Sequence, residues 1–260
     1  MTAPIALHAH VEGQGPELLL LHGLFGSARN WLGLQRELAR TFRVHALDLR
    51  NHGQSPWSES MSYESMAADV SAYIQSHCHG LPTVLGHSMG GKVAMTLALQ
   101  AAVPIAALIV VDIAPVDNPP TLSPVLAAML RVDPSSTNRR QQVGEWLAPA
   151  VPDERVRAFL LQNLVSRDGG LQWRIHLQAI ARAMPAIPGF PQPLQSRRYD
   201  GPCRFIIGAD SDYVRSEHHP LIRRLFPRAA IDEIAGAGHW VHADQAQAFL
   251  ASVREALGGP

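Results

Sequence analysis

The sequence predicts an α/β fold in which a mostly parallel sheet is covered by helices on both faces and carries a helical cap insertion. Three observations point there. Strand-length runs such as Leu18 to Leu21 and Ile105 to Val111 are apolar throughout, as strands buried on both faces of a parallel sheet must be. Segments with helical spacing alternate with these runs along the chain. Between one such pair, Gly86-His87-Ser88-Met89-Gly90 sets a serine at a strand-to-helix turn, with glycines two residues before and two after it.

Taken in order, residues 5 to 11 alternate weakly and read as an edge strand. The run Glu17 to Leu21 is a central strand that leads into the glycine-bearing loop His22-Gly23-Leu24-Phe25-Gly26. A helix from Arg29 to Ala39 spaces Trp31, Leu34 and Leu38 helically, and the strand Arg43 to Leu47 leads into the polar loop Asp48 to Pro56. Helix Tyr63 to His77 has Ser62 as its N-cap and gathers Met66, Val70, Tyr73 and Ile74 on one face. Beyond the elbow and its helix, Ile105 to Ile113 forms the next strand, with Asp112 at its carboxyl end.

The texture changes at Pro115. Twelve of the 20 prolines fall between residues 115 and 202, interrupting helical patterns at Val125 to Arg131, Arg139 to Leu147, Glu154 to Val165 and Leu171 to Met184, with no strand expected among them. Residues 115–201 therefore read as a cap over the sheet's carboxyl edge, and 1–114 with 202–260 as the core. The sheet resumes with Cys203 to Ile207, helix Ser216 to Phe226 and strand Ala229 to Ile234. A last helix buries Ala246, Phe249, Leu250, Val253 and Leu257.

A chain of 260 residues is long enough for one well-buried domain without disulfides. Lys plus Arg and Asp plus Glu stand at 22 each with no basic block, which argues against a nucleic-acid partner. The N-terminus lacks the pattern of a secretory signal, no run reaches membrane-spanning length, and Cys78 and Cys203 are few and far apart. A cytoplasmic protein without a membrane partner is expected. The cluster His77-Cys78-His79 has no second pair at metal-site spacing, so neither metal nor organic cofactor is expected. Oligomeric state is not legible.

The chemistry-bearing residues converge on acyl transfer. A serine hydroxyl needs an imidazole within hydrogen-bond reach and a carboxylate to orient that imidazole. Ser88 is the candidate nucleophile. Among 13 histidines, His239 in Ala235-Gly236-Ala237-Gly238-His239 follows the last strand in the chain order serine, acid, histidine, with His242 as runner-up. His52 precedes the serine and is expected to be structural. For the acid, Asp112 ends the strand expected beside the nucleophile strand, while Asp210 and Asp212 flank Ser211, the position an acid would ordinarily hold. Backbone amides of Leu24 and Met89 are the candidate oxyanion donors. Lys92 is the only lysine, and a cation near a helix N-terminus opposes the dipole, so the sequence offers no local reason for it.

The set HGLFGS (22–27), DLRNHGQSP (48–56), GHSMGGK (86–92), VDIAPV (111–116) and AGAGHWVHA (235–243) resembles the α/β-hydrolase superfamily, and within it the small bacterial esterases of the YbfF type and their mitochondrial relatives. That resemblance implies Ser88 as nucleophile, His239 as base and Leu24 and Met89 as oxyanion donors. It supports Asp112 as the acid, because that branch lacks the usual acid on the later loop. The expected activity is carboxylic-ester hydrolysis through an acyl-enzyme, on short- to medium-chain acyl esters of small molecules. Carbon–carbon bond hydrolases and thioesterases keep the same serine. A non-catalytic receptor on this fold is the alternative from another class.

Overall fold

The computed structural model describes residues 3–119, 121–167 and 169–258; positions 1–2 and 259–260 of the expected core, and 120 and 168 of the expected cap, lie outside the described residues. The strands are β1 (Ala9–Glu12), β2 (Glu17–Leu21), β3 (Arg43–Leu47), β4 (Thr83–His87), β5 (Ala107–Val111), β6 (Leu164–Arg167), β7 (Gly170–Trp173), β8 (Cys203–Gly208) and β9 (Ala229–Ile234). The helices are α1 (Leu32–Leu38), α2 (Tyr63–His77), α3 (Met89–Gln100), α4 (Ser123–Arg131), α5 (Arg140–Leu147), α6 (Glu154–Leu161), α7 (Leu177–Ala183), α8 (His219–Leu225), α9 (Val241–Asp244) and α10 (Ala246–Ala256).

Seven strands form one sheet in the order β1-β3-β2-β4-β5-β8-β9, parallel except for β1, which runs antiparallel to β3. The pleat of β2 divides the core. Leu18 and Leu20 pack with Trp31, Leu38, Phe249 and Val253 on one face, whereas Leu19 and Leu21 pack with Met66, Val70, Val93 and Leu97 on the other. All four leucines are fully buried, at about 1.5–3 kcal/mol of transfer free energy each, which is why this run takes a central position.

The chain visits β3 on one side of β2 and then crosses to β4 on the other. Strand order therefore reverses at β2, and the loops after β2 and β4 open a crevice at the carboxyl edge, where α/β sheets place their ligands.

The structure corrects the expectations for residues 115–201 at one point. Besides α4 to α7, the segment contains the antiparallel hairpin β6–β7, where helices had been expected to run on to Val165 and to start at Leu171. Helix α6 stops at Leu161, and α7 begins only at Leu177. The cause is legible afterwards. Asp168-Gly169-Gly170 is a hairpin turn signal, with Gly169 at φ +86°, and the flanking residues alternate to bury Leu164, Leu171 and Trp173. Elsewhere the elements keep their expected type with shifted ends. Strand β5 stops at Val111, so Asp112 lies just beyond it, at φ +48°.

Candidate active site

Ser88 is held where β4 turns into α3, at φ +53° and ψ −118°, a conformation that costs a side-chain-bearing residue roughly 1–3 kcal/mol. The glycines make it possible: a Cβ on Gly86 would fall 2.2 Å from the Gly90 carbonyl oxygen, and one on Gly90 would fall 2.5 Å from that of Leu21. His239 arrives from the loop after β9. That loop closes against the end of β8, where a Cβ on Gly208 would meet the Gly238 carbonyl oxygen at 2.4 Å.

Three of the expected residues meet in one hydrogen-bonded line. His239 Nε2 lies 3.0 Å from Ser88 Oγ, and His239 Nδ1 lies 2.7 Å from Asp112 Oδ2. Asp112 is fully buried. Its Oδ1 accepts from the Gly208 amide at 3.0 Å, and the Ser211 hydroxyl donates to Oδ2 at 2.5 Å. A fully buried carboxylate with three donors is confined to one orientation, and so is the imidazole it holds. Asp210 and Asp212 stay apart on the exposed loop after β8, with the Asp212 side chain 94% exposed. The amides of Leu24 and Met89 flank the serine, and neither donates to another described residue. Both are free for a developing oxyanion.

His242 lies behind the line, packed on Trp31 and His87 with ring centroids 4.8 and 5.0 Å apart. Burial, with His239 adding to it, pushes its pKa down to about 4, so it is a neutral wall rather than a base. His87 is likewise held well below the usual histidine range by burial, and its Nε2 donates to the His239 carbonyl at 2.8 Å. His52 is buried against the loop 22–26. Its Nδ1 donates to the Arg50 carbonyl and its Nε2 accepts from the Phe25 amide at 3.2 Å, with burial pushing its pKa down to about 3. The 48–56 loop thus braces the residue that follows Leu24. Arg50 anchors the loop in turn through Nε and Nη2 donating to Asp69 at 2.6 and 2.7 Å.

Two participants were not singled out from the sequence. Tyr213 stacks on the His239 ring at 3.8 Å between centroids and 18° between planes. Ser211 was noted only for lacking a carboxylate, yet it supplies a hydroxyl to Asp112. Both sit in the segment after β8 whose acidic residues drew attention instead.

Two cavities join at Ser88. One, about 50 Å³, is lined by Leu24, Met89, Lys92, Ile113, Leu122 and Ile187. The other, about 600 Å³, opens past His239, Trp240, Phe159 and Arg155. Lys92 is buried, and burial pushes its pKa down to about 7 against the pull of the Asp117 carboxylate.

The His77-Cys78-His79 cluster is not brought together as a ligand set. Cys78 instead lies with Glu17 at the start of β2 and His45 in the middle of β3, donor atoms within 4.8 Å of one another. Those groups are already committed. His45 Nε2 bonds Glu17 Oε2 at 2.7 Å, Arg43 and the His79 amide donate to Glu17 Oε1, and burial pushes the Cys78 thiol up to about 11.

A serine, an imidazole and a buried carboxylate joined at the switch point of a doubly wound sheet define a serine hydrolase of the α/β fold. The chain belongs to the alpha/beta hydrolase family, whose profile matches residues 18–252. It is 43% identical over 248 residues to an sn-1-specific diacylglycerol lipase of Xenopus laevis, covering 92% of this chain and 78% of that one. It is 36% identical over 241 residues to Esterase YbfF of Escherichia coli, covering 92% of each. A solved marine microorganism esterase superposes with a TM-score of 0.93 at 35% identity, over 96% of this chain and 99% of that one. With these relatives the class narrows to a carboxylesterase-type hydrolase. No helix among the described residues is long and apolar enough to cross a membrane.

Proposed function

We infer that the chain hydrolyses short- to medium-chain acyl esters through an acyl-enzyme on Ser88. Ser88 Oγ attacks the ester carbonyl carbon as His239 Nε2 takes its proton, and Asp112 holds the imidazolium that results. The carbonyl oxygen becomes an oxyanion on the Leu24 and Met89 amides. Collapse breaks the bond to the alcohol, which leaves with the proton from His239. Water then repeats the sequence and releases the acid. The observation that carries the reading is the hydrogen-bonded line Ser88, His239, Asp112 beside two unpartnered amides.

The two cavities suit the two halves of such a substrate. Because His239 must protonate the leaving alcohol, the alcohol belongs in the large cavity that His239 lines. The acyl group then enters the small one, whose 50 Å³ corresponds to roughly three to five non-hydrogen atoms. Residues 115–201 act in this account as the cap, with Leu122 and Ile187 on the acyl side and Phe159 on the alcohol side. The free cysteines Cys78 and Cys203 suit a reducing, cytoplasmic setting.

Steady-state hydrolysis of p-nitrophenyl esters from acetate to dodecanoate, by wild type and Ser88→Ala, tests the reading. Multiple turnover on short esters that disappears in Ser88→Ala is expected. A single stoichiometric burst would favour the receptor alternative, and turnover confined to thioesters or to carbon–carbon bonds would reassign the reaction.

A further inference from the structure

Lys92 is the only lysine of the chain and is 2% exposed. It lies one turn beyond Ser88 in α3, where the helix dipole disfavours a cation, so its place must be explained by what its ammonium touches. Nζ donates to three backbone carbonyls: Val116 at 2.8 Å, Pro188 at 2.5 Å and Gly189 at 2.9 Å. An ammonium has three N–H donors and no acceptor, so three carbonyls satisfy it completely.

The three carbonyls belong to two separate stretches. Val116 lies just beyond β5, and Pro188 and Gly189 lie after α7, more than 70 residues further on. Both stretches wall the small cavity, through Ile113 and Asn118 on one side and Ile187 and Pro188 on the other. Further bonds hold the same junction: the Tyr63 hydroxyl donates to the Ile187 carbonyl at 2.5 Å, and Asp117 accepts from the Phe190 amide at 2.8 Å. Lys92 itself lines the cavity while its charge is turned into this cage.

We propose that Lys92 is the residue that limits acyl length, by stapling two walls of the acyl cavity together. This deepens the esterase reading and rests on it. Lys92→Met keeps a stem of similar length but removes all three donors, so the walls separate and the cavity lengthens. Each methylene that a pocket admits or refuses changes kcat/KM by about tenfold or more.

The test is the ratio of kcat/KM for p-nitrophenyl octanoate to that for acetate. General loss of stability lowers both terms together and leaves the ratio unmoved, whereas an opened cavity raises it. Lys92→Met is expected to raise the ratio by about tenfold or more. Tyr63→Phe, which removes only the hydroxyl on the Ile187 carbonyl, is expected to move it in the same direction by a smaller factor, and it serves if the Lys92 variant does not fold. Wild-type turnover with the ratio within twofold of wild type in the folded variants overturns the proposal and leaves the esterase reading intact. No Ser88-dependent turnover on any ester overturns the esterase reading, and the proposal with it.

Discussion

Replacing Asp112 by asparagine separates the candidate acid from its neighbours on the later loop. Asp112 Oδ1 accepts from the Gly208 amide, whereas Oδ2 faces His239 Nδ1 and the Ser211 hydroxyl. The backbone N–H of Gly208 cannot change its role, so the amide oxygen of asparagine must take the Oδ1 place. Its NH2 then points at His239. That contact selects the tautomer with the proton on Nε2, which meets Ser88 as a donor and cannot accept its proton. Rotating the amide would set NH2 against the Gly208 N–H and leave a buried donor unmet, a cost of about 1–3 kcal/mol. The wrong tautomer is therefore locked in. The expected loss in kcat/KM is about 10⁴-fold, or roughly 5 kcal/mol of transition-state stabilisation. Thermal melts would establish that the variant folds, and p-nitrophenyl acetate assays between pH 6 and 9 would give the rates. Asp210→Asn and Asp212→Asn, both on the exposed loop, are expected to stay near wild type. Asp112→Asn within tenfold of wild type, together with collapse of Asp210→Asn, would refute the assignment.

Stability should fall in mild acid. The folded pKa of His52 is about 3 against about 6.5 unfolded, so below 6.5 the unfolded chain binds more protons; the stabilisation is complete above that value and fades as pH drops toward the folded one. His52 alone accounts for about 2 kcal/mol between pH 8 and 5, and His22, His87 and His242, all lowered mainly by burial, act in the same direction. Urea unfolding at pH 8 and 5 measures it, and equal stabilities at the two values would contradict the buried neutral histidines. His52→Ala leaves the Phe25 amide without its acceptor, next to Leu24, the proposed oxyanion donor. A loss of about 1–3 kcal/mol in stability and a fall in kcat on acetate and octanoate alike are expected; unchanged kcat would remove His52 from any bracing role.

Much of the fold was legible because its signals are local. A strand buried on both faces cannot hide its apolarity, and a serine between two flanking glycines marks a turn that sterics allow in few other ways. The expected chain order of serine, acid and histidine came instead from the known motif that the serine turn resembles. What escaped depends on partners distant in sequence. Nothing near Lys92 foretells carbonyls 24 and 96 residues away, and nothing near Tyr213 foretells the imidazole on which it lies. The hairpin β6–β7 escaped for another reason. Its apolar residues suit a helix as readily as a short strand, and only the Asp-Gly-Gly sequence between them favours a hairpin.

The strand order also bears on how the chain is made. Strands β1 to β5 are contiguous in the sheet, and the partner of β5 on its far side is β8. Residues 112–202 must therefore be synthesised while β5, apolar throughout, has one unpaired edge. At ribosomal rates of roughly 5–20 residues per second that interval lasts on the order of 5–20 s. An open apolar edge is a template for pairing with a neighbouring nascent chain. Residues 115–201, the proposed cap, thus emerge while that edge is open, and it closes only when Cys203 to Gly208 docks beside β5.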